Sequence, residues 1–150
     1  MALLRIGIVG VGKIARDQHL PSIAANADFR LAGVASRAGR VEGVPNFPDV
    51  ASLIEGGPDL DAVALCVPPG PRHDMALRAL AAGKHVLLEK PPGATLSELD
   101  DLVAAAARAK VTLFATWHSR FAAGVATARQ WLSTRTVHRM QVDWKEDVRR

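Results

Sequence analysis

The sequence contains little cysteine and few aromatic residues. Among its 150 residues there is a single cysteine, and aromatic residues make up only 5%. One cysteine can form neither an intrachain disulfide nor a cysteine-based metal site. Because Cys66 lies within the apolar run 62–67, we interpret it as a small buried hydrophobic residue in a reducing compartment. With aromatic residues scarce, the core must consist mainly of Ala, Val, Leu and Ile.

Features that would direct the chain to a membrane are also missing. The N-terminal stretch 1–12 carries Arg5 inside its apolar part and has no small-residue cleavage pattern, so it does not resemble a signal peptide. No apolar run reaches the length needed to span a bilayer. We therefore expect a cytoplasmic protein with no membrane partner.

Charge of one sign is not concentrated anywhere. The net charge is +4, but the 19 Lys and Arg residues are interleaved with 15 Asp and Glu residues. A nucleic-acid-binding protein would carry a basic patch and a binding motif. Neither is present, so we expect no nucleic-acid partner. The five histidines are scattered without metal-site spacing, and His85, inside an apolar run, is interpreted as a packed core residue.

The sequence does contain a series of short apolar runs separated by helical segments. The runs are of strand length and do not alternate with polar residues, which is typical of strands buried on both faces of a parallel sheet. Alternation of strand and helix predicts an α/β fold with a doubly wound parallel sheet. The predicted strands cover residues 3–9, 29–35, 62–67, 85–88 and 111–115.

Caps and apolar spacing mark the predicted helices. Thr95 and Glu98 form a capping box, and Gly83 provides a C-terminal stop for the preceding helix. Pro21 disfavours helical geometry just before itself, so the first helix should bend or end near His19. The predicted helices cover residues 96–109 and 72–82, a short stretch after Asp49, and a stretch from Gly12 to about His19.

The last part of the chain departs from this pattern. A helix is predicted over about residues 122–134. After it, Met140, Val142 and Trp144 alternate with polar residues within 138–145. Such alternation is typical of a strand with one solvated face. It predicts the first strand of a second, different sheet.

The stretch Gly-Val-Gly-Lys-Ile-Ala at 10–15 directly follows the first predicted strand and begins a helix. In a dinucleotide site the first glycine permits a tight turn, the second lets backbone approach a pyrophosphate, and a small residue at Ala15 lets helix and strand pack. Phosphate then lies at the helix N-terminus. Gly10, Gly12, Lys13 and Ile14 are therefore predicted to bind the cofactor. The alternative is a tight turn without a ligand.

The tip of the second predicted strand distinguishes between cofactors. NAD-binding domains usually place an acid there for the ribose 2′-hydroxyl, whereas this tip reads Ala-Ser-Arg at 35–37. Ser36 can donate a hydrogen bond to a 2′-phosphate and Arg37 can pair with it. The sequence therefore predicts NADP as the preferred cofactor, with NAD possible. Two alternatives stay open: Arg37 is a solvated loop residue, or Arg40 binds the phosphate instead.

Two further segments follow predicted strands, at the edge where open α/β sheets bind ligands. Pro68 and Pro69, with His73 nearby, form a rigid turn suited to a wall against ribose or nicotinamide. A stiff strand-to-helix connection would explain them equally well. Glu89 and Lys90 end another strand. A lysine there can relay a proton from a substrate hydroxyl, although surface lysines are also common.

In combination, these motifs resemble the glucose-fructose oxidoreductase and inositol dehydrogenase family (Gfo/Idh/MocA). The resemblance rests on residues 10–15, Gln-His-Leu-Pro at 18–21, residues 81–86 and Glu-Lys-Pro at 89–91, in this order. Residues 115–120 and 144–150 resemble a group within the family, the bacterial NAD(P)-dependent aldose 1-dehydrogenases that act on L-arabinose and D-galactose.

The resemblance implies a Rossmann domain over residues 1–118. Residues 119–150 would then be the first helix and strand of an incomplete domain for substrate binding and oligomerisation. It also implies that Lys90 is catalytic, that Glu89 lies by the cofactor, and that His118 and Glu146 contact the sugar.

The expected reaction is hydride transfer from C1 of an aldose to NADP, giving a sugar lactone, in a homo-oligomer of the longer enzyme. Because a later sugar-binding stretch of the family is not among these residues, the 150-residue chain alone is expected to be inactive. Two alternatives stay open: a dinucleotide-binding domain without turnover, and a related inositol or polyol dehydrogenase.

Overall fold

The computed structural model describes residues 3–143 and residue 145. The chain divides into two compact units, Met1–Trp117 and His118–Arg150. In the described residues, none of the helices combines the length and the apolar character required to cross a membrane.

The first unit is built on a six-stranded, wholly parallel sheet. The strands are β1 (Leu4–Val9), β2 (Phe29–Ala35), β3 (Asn46–Phe47), β4 (Ala62–Leu65), β5 (His85–Leu88) and β6 (Leu113–Ala115). Their order is β3-β2-β1-β4-β5-β6, so the direction of winding reverses between β1 and β4, where open α/β sheets bind their ligands. The predicted doubly wound parallel sheet is confirmed. The two-residue strand β3 was not predicted, because it has no apolar run of its own.

Four helical segments connect these strands. They are a π-helical segment (Ala15–His19) that continues into α1 (Leu20–Ala24), followed by α2 (Val50–Gly56), α3 (Pro69–Ala81) and α4 (Leu96–Ala109). The capping box of Thr95 and Glu98 is present as predicted. The π-helical segment ends at His19, and Pro21 lies in the first turn of α1, which continues from it. The helical stretch thus changes its geometry near His19, where the sequence predicts a bend or an end.

Helices cover the two faces of the sheet unequally. On one face α2, α3 and α4 bury Leu53, Leu80 and Leu102 against the strands. On the other face Ala15 and Ile23, from the first helical stretch, pack in a second cluster. Ala15 is fully buried, as its predicted packing role requires.

Within the described residues of the first unit, the second face is open over β5 and β6. A groove of about 630 Å³ lies there, with Leu87 and Phe114 among its lining residues. His85 borders this groove and is exposed, so its interpretation as a packed core residue is wrong. The reason is that, among residues 3–117, no helix covers the start of β5 on this side. Its Nδ1 instead accepts a hydrogen bond of 2.9 Å from the backbone N–H of Thr112.

The second unit contains a 3₁₀ turn (His118–Phe121) and α5 (Val125–Ser133). The strand predicted over 138–145 is not formed in residues 138–143 and 145, so that prediction is wrong for those positions. Met140 and Val142 are both largely exposed. A strand is held by hydrogen bonds to a neighbour, and the described part of the chain provides none beside this segment. Trp144 lies outside the described residues.

The buried face of α4 gives a test of the fold. Leu102 is 0% exposed and Leu96, in the same helix, is 80% exposed. We expect Leu102→Ala to lower the free energy of unfolding by about 2–5 kcal/mol, because it leaves a cavity. Leu96→Ala should change it by less than about 0.5 kcal/mol. Urea unfolding followed by circular dichroism measures both, and equal losses would contradict the assigned packing of α4.

Candidate functional site

The ends of three neighbouring strands define the candidate site. β1, β4 and β5 are adjacent and parallel, so the segments that follow them meet at one edge of the sheet. These segments begin with Gly10, Cys66 and Glu89 respectively. The edge therefore gathers the glycine motif, the proline-rich segment and the Glu-Lys-Pro segment that the sequence singled out.

The turn at residues 10–12 allows only glycine at its first position, because the segments after β1 and β4 lie close together there. Gly10 has φ +91°, and a Cβ atom there would lie 2.8 Å from both the carbonyl oxygen of Cys66 and Cγ1 of Val67. Only glycine fits this position. A Cβ on Gly12 would instead meet nothing within 4 Å, which leaves open space at the start of the helix, where unpaired N–H groups attract phosphate. The residues present thus fit a dinucleotide pyrophosphate.

A cavity of about 480 Å³ lies beside this turn. It brings together four of the residues predicted to bind the cofactor: Gly10, Ser36, Arg37 and Pro68. The rest of its lining is mainly apolar, as in most sites for flat organic ligands. Its other lining residues are Val9, Ala35, Ala38, Pro48, Asp49, Val50, Val67, Pro71 and Met75.

Three polar side chains in the cavity wall can form hydrogen bonds or ion pairs with a ligand. The backbone N–H of Gly39 donates to Ser36 Oγ at 3.1 Å, which leaves the hydroxyl proton of Ser36 free to donate to a ligand. Arg37 is exposed at the same place. The carboxylate of Asp49 was not predicted as part of the site. A hydrogen bond of 2.8 Å from the Ser52 amide holds the pKa of Asp49 below its ordinary value, so it is ionised at neutral pH.

Several other predicted residues do not line this cavity. Lys13 is exposed and pairs with Asp17, and Ile14 is also exposed. Pro69 is the first residue of α3. His118 belongs to the second unit.

His73 lies in α3 and faces acidic residues. Its Nδ1 is 3.3 Å from Asp74 Oδ1, and its Nε2 is 3.7 Å from Asp101 Oδ2 on α4. It does not line the cavity described above. Glu146, the second residue predicted to contact sugar, lies outside the described residues.

Glu89 and Lys90 are adjacent but differ in environment. Glu89 is 9% exposed, and its Oε1 lies 2.7 Å from Nε2 of His19. Burial alone would raise the pKa of Glu89, but hydrogen bonds with His19 and from the Lys90 amide hold it below its ordinary value. Glu89 is therefore an ionised carboxylate committed to these partners. Lys90 is exposed at the sheet edge, which its predicted role at the substrate requires.

Sequence reasoning missed Arg72. The residue is only 2% exposed, and its guanidinium donates to the carbonyl oxygens of Val67, Glu89 and Pro91. The sequence showed it only as a polar residue near a helix start, where charged side chains are usually solvated. No local pattern indicates a partner 17 residues away along the chain.

Other chemistries find less support in the described residues. Burial raises the pKa of the Cys66 thiol to about 12, so it is protonated and a poor nucleophile. Residues 3–143 and 145 contain no cluster of three His, Cys, Asp or Glu side chains that could bind a metal ion.

Comparison with known proteins agrees with this arrangement. Residues 4–116 match the family described as an oxidoreductase family with an NAD-binding Rossmann fold. The chain is 46% identical over 150 residues to galactose 1-dehydrogenase from Pseudomonas fluorescens, covering 100% of this chain and 48% of that protein.

Solved structures show the same likeness. The crystal structure of a D-galactose-1-dehydrogenase protein from Rhizobium etli matches with a TM-score of 0.85 and 53% identity, over 91% of this chain and 44% of that one. A mutant 3-ketoreductase from Actinomadura kijaniata, in complex with TDP-benzene and NADP, matches with a TM-score of 0.77 and 26% identity, over 88% and 44%. The chain thus spans less than half the length of these relatives.

The two glycines of the turn are predicted to respond differently to substitution. Gly12→Ala should weaken NAD(P) binding by about tenfold or more, because its methyl group fills the space open to phosphate. It should change the free energy of unfolding by less than about 0.5 kcal/mol. Gly10→Ala, in contrast, should destabilise the fold, since its methyl group overlaps the Cys66 carbonyl. Calorimetric titration and urea unfolding measure both effects. Unchanged binding by Gly12→Ala would contradict a phosphate site here.

Proposed function

The chain belongs to the Gfo/Idh/MocA oxidoreductase family, which has an NAD-binding Rossmann fold, and from this membership we propose that the full-length protein is an aldose 1-dehydrogenase. It transfers a hydride from C1 of an aldopyranose, such as D-galactose or L-arabinose, to NADP and releases the sugar lactone. The identity of 46% to a galactose 1-dehydrogenase supports this substrate class. The reaction is proposed for a protein of the relatives' length, and residues 1–150 alone are expected to bind the dinucleotide without turnover.

The observation that carries the proposal is the meeting of three strand ends at one edge. The glycine turn follows β1, the cavity wall at Pro68 follows β4, and Lys90 follows β5. These positions correspond to a phosphate site, a wall for the rest of the dinucleotide, and a group for proton transfer. Because β1, β4 and β5 are neighbours in the sheet, a single extended dinucleotide can contact all three.

Residues of the first unit would hold NADP in this proposal. Gly10, Gly12 and the helix N-terminus with Lys13 and Ile14 receive the pyrophosphate. The free hydroxyl proton of Ser36 and the exposed guanidinium of Arg37 receive the 2′-phosphate; these six residues are the proposed contacts to the phosphate groups of the dinucleotide. When bound, NADP supplies the hydride acceptor at C4 of its nicotinamide ring.

Lys90 is the proposed proton acceptor. As the hydride leaves C1, the Lys90 amine takes the proton of the C1 hydroxyl, so a neutral sugar becomes a neutral lactone. No side chain can activate the C1 hydrogen as an acid, so the enzyme must gain rate by holding C1 close to the acceptor. His118 and Glu146 are proposed to hold the sugar in this position.

The proposal includes a cytoplasmic homo-oligomer without nucleic-acid or membrane partners. A free Cys66 thiol suits a reducing compartment. On α5, Val125, Trp131 and Leu132 are exposed apolar residues, and a face of this kind supports burial against further protein in the complete molecule.

Cofactor preference is tested at Arg37. Arg37→Ala should weaken NADP binding about 10- to 100-fold, because it removes a charge-assisted contact to the 2′-phosphate worth about 1.5–3 kcal/mol. NAD binding should change less than about threefold. Arg40→Ala is the matched control, since Arg40 is also exposed in the same loop. Calorimetric titration with both cofactors measures these affinities. An unchanged ratio of NADP to NAD affinity in Arg37→Ala would contradict the role of Arg37. A loss of NADP affinity in Arg40→Ala alone would assign the 2′-phosphate contact to Arg40.

The role of Lys90 is tested by turnover of the full-length protein. Lys90→Ala should lower kcat with D-galactose roughly 10²–10⁴-fold, the range for loss of a general base, and leave NADP affinity nearly unchanged. Lys84→Ala is the control, because Lys84 lies just before the first residue of β5, at the end of the strand away from the proposed site. Normal kcat in Lys90→Ala would remove Lys90 from the mechanism.

The same assay separates the alternative functions. Lactone formation from galactose or arabinose supports the aldose reaction, whereas turnover of inositol alone would indicate a polyol dehydrogenase. Dinucleotide binding by the full-length protein without turnover of any sugar would indicate a binding function.

A further inference from the structure

Arg72 connects the two loops that border the proposed site. It lies in the first turns of α3, and its Nε donates to the carbonyl oxygen of Val67 at 3.1 Å. Nη2 donates to the same oxygen. Nη1 donates to the carbonyl oxygens of Glu89 and Pro91. One guanidinium therefore holds the loop after β4 and the loop after β5 together.

This contact buries a charged side chain. Arg72 is 2% exposed, and burial lowers the pKa of its guanidinium while the nearby Glu89 carboxylate opposes that change. Arginine nevertheless remains charged in proteins. A charge removed from water in this way is tolerated only when its hydrogen bonds are made. Four hydrogen bonds to backbone carbonyl oxygens meet that requirement here.

Lys90 lies between the two carbonyl groups that Nη1 binds. Its own amide donates to Glu89 Oε2 at 3.2 Å, so the backbone is held before, at and after this residue. The Lys90 side chain, in contrast, is exposed, and the described residues include no hydrogen-bond partner for its Nζ atom. Its direction therefore depends on the backbone that Arg72 fixes.

We propose that Arg72 is a positioning residue for Lys90. By joining Val67, in the cavity wall, to both neighbours of Lys90, it sets the distance between the bound dinucleotide and the proton acceptor. The inference rests on the proposed function of Lys90 and adds to it the side chain that orients the base.

Lysine cannot replace this arginine. An ammonium group has three donors on one atom, whereas the guanidinium fork separates its donors and can bind two loops at once. Arg72→Lys therefore keeps the charge but loses one side of the connection. Leu102→Ala is the matched control, since it destabilises the same domain from a core position that makes no part of the proposed site.

The first experiment needs no cofactor. Amide hydrogen exchange by mass spectrometry is measured for peptides containing residues 89–91 in the full-length protein. We expect Arg72→Lys to exchange at least about tenfold faster there, with smaller changes elsewhere. Leu102→Ala should show no excess at these residues. Equal exchange at 89–91 in wild type and Arg72→Lys would overturn the proposal.

The second experiment measures turnover. Arg72→Lys should lower kcat about 10- to 100-fold, as small misplacements of catalytic groups do, and change KM for galactose less than about threefold. In a Lys90→Ala background, Arg72→Lys should have almost no further effect on residual kcat, because residues that act through one another are not additive.

The outcomes distinguish the two proposals. Normal turnover in Lys90→Ala overturns the role of Lys90 itself. Loss of turnover in Lys90→Ala, together with wild-type kcat in Arg72→Lys, overturns only the positioning role. An equal decrease of kcat in Arg72→Lys and Leu102→Ala would likewise overturn only the positioning role of Arg72. Arg72→Gln serves as a second variant, and failure of both Arg72 variants to fold would assign the residue a structural role instead.

Discussion

Where β4 and β5 end, the backbone leaves the sheet and its carbonyl groups no longer face a neighbouring strand. A buried carbonyl oxygen without a donor is costly, so the loops at this edge need donors from elsewhere. Arg72 supplies them, and its single guanidinium satisfies the carbonyl oxygens of Val67, Glu89 and Pro91. The shape of the proposed site therefore depends on one buried side chain that would itself never touch substrate.

A second connection crosses the point where the winding of the sheet reverses. His19 and Glu89 pair through their side chains although 70 residues separate them. His19 belongs to the π-helical segment that follows the glycine turn, and π-helical segments often occur at functional sites. Glu89 directly precedes Lys90. The proposed phosphate site and the proposed proton acceptor are thus joined by side chains as well as by the sheet.

The elements that the sequence could predict are those that a local pattern specifies. β2, β5 and α4 have the predicted bounds, because a continuous apolar run or a capping box lies within the element itself. β3 could not be predicted, since two residues become a strand only when they meet β2. The prediction of a strand at 138–145 was wrong for a related reason. Alternation of apolar and polar residues indicates which side of a strand would be buried, but it does not provide the neighbouring strand that must bond to it. In the site, the strand-end motifs could be recognised in the sequence. The contacts of Arg72, the place of Asp49 in the cavity wall and the pairing of His19 with Glu89 could not, because each brings together segments that are distant along the chain.

Cys66, whose carbonyl group forces glycine at position 10, has a consequence for chemistry in the cell. Peroxides and alkylating agents attack thiolates rather than thiols, and a thiol with a pKa of about 12 is almost entirely protonated at physiological pH. The one cysteine of the chain therefore lies beside the proposed nicotinamide cofactor site while remaining nearly inert to oxidants. At this edge of the sheet, the proposed hydride transfer would therefore take place beside a thiol that stays protonated.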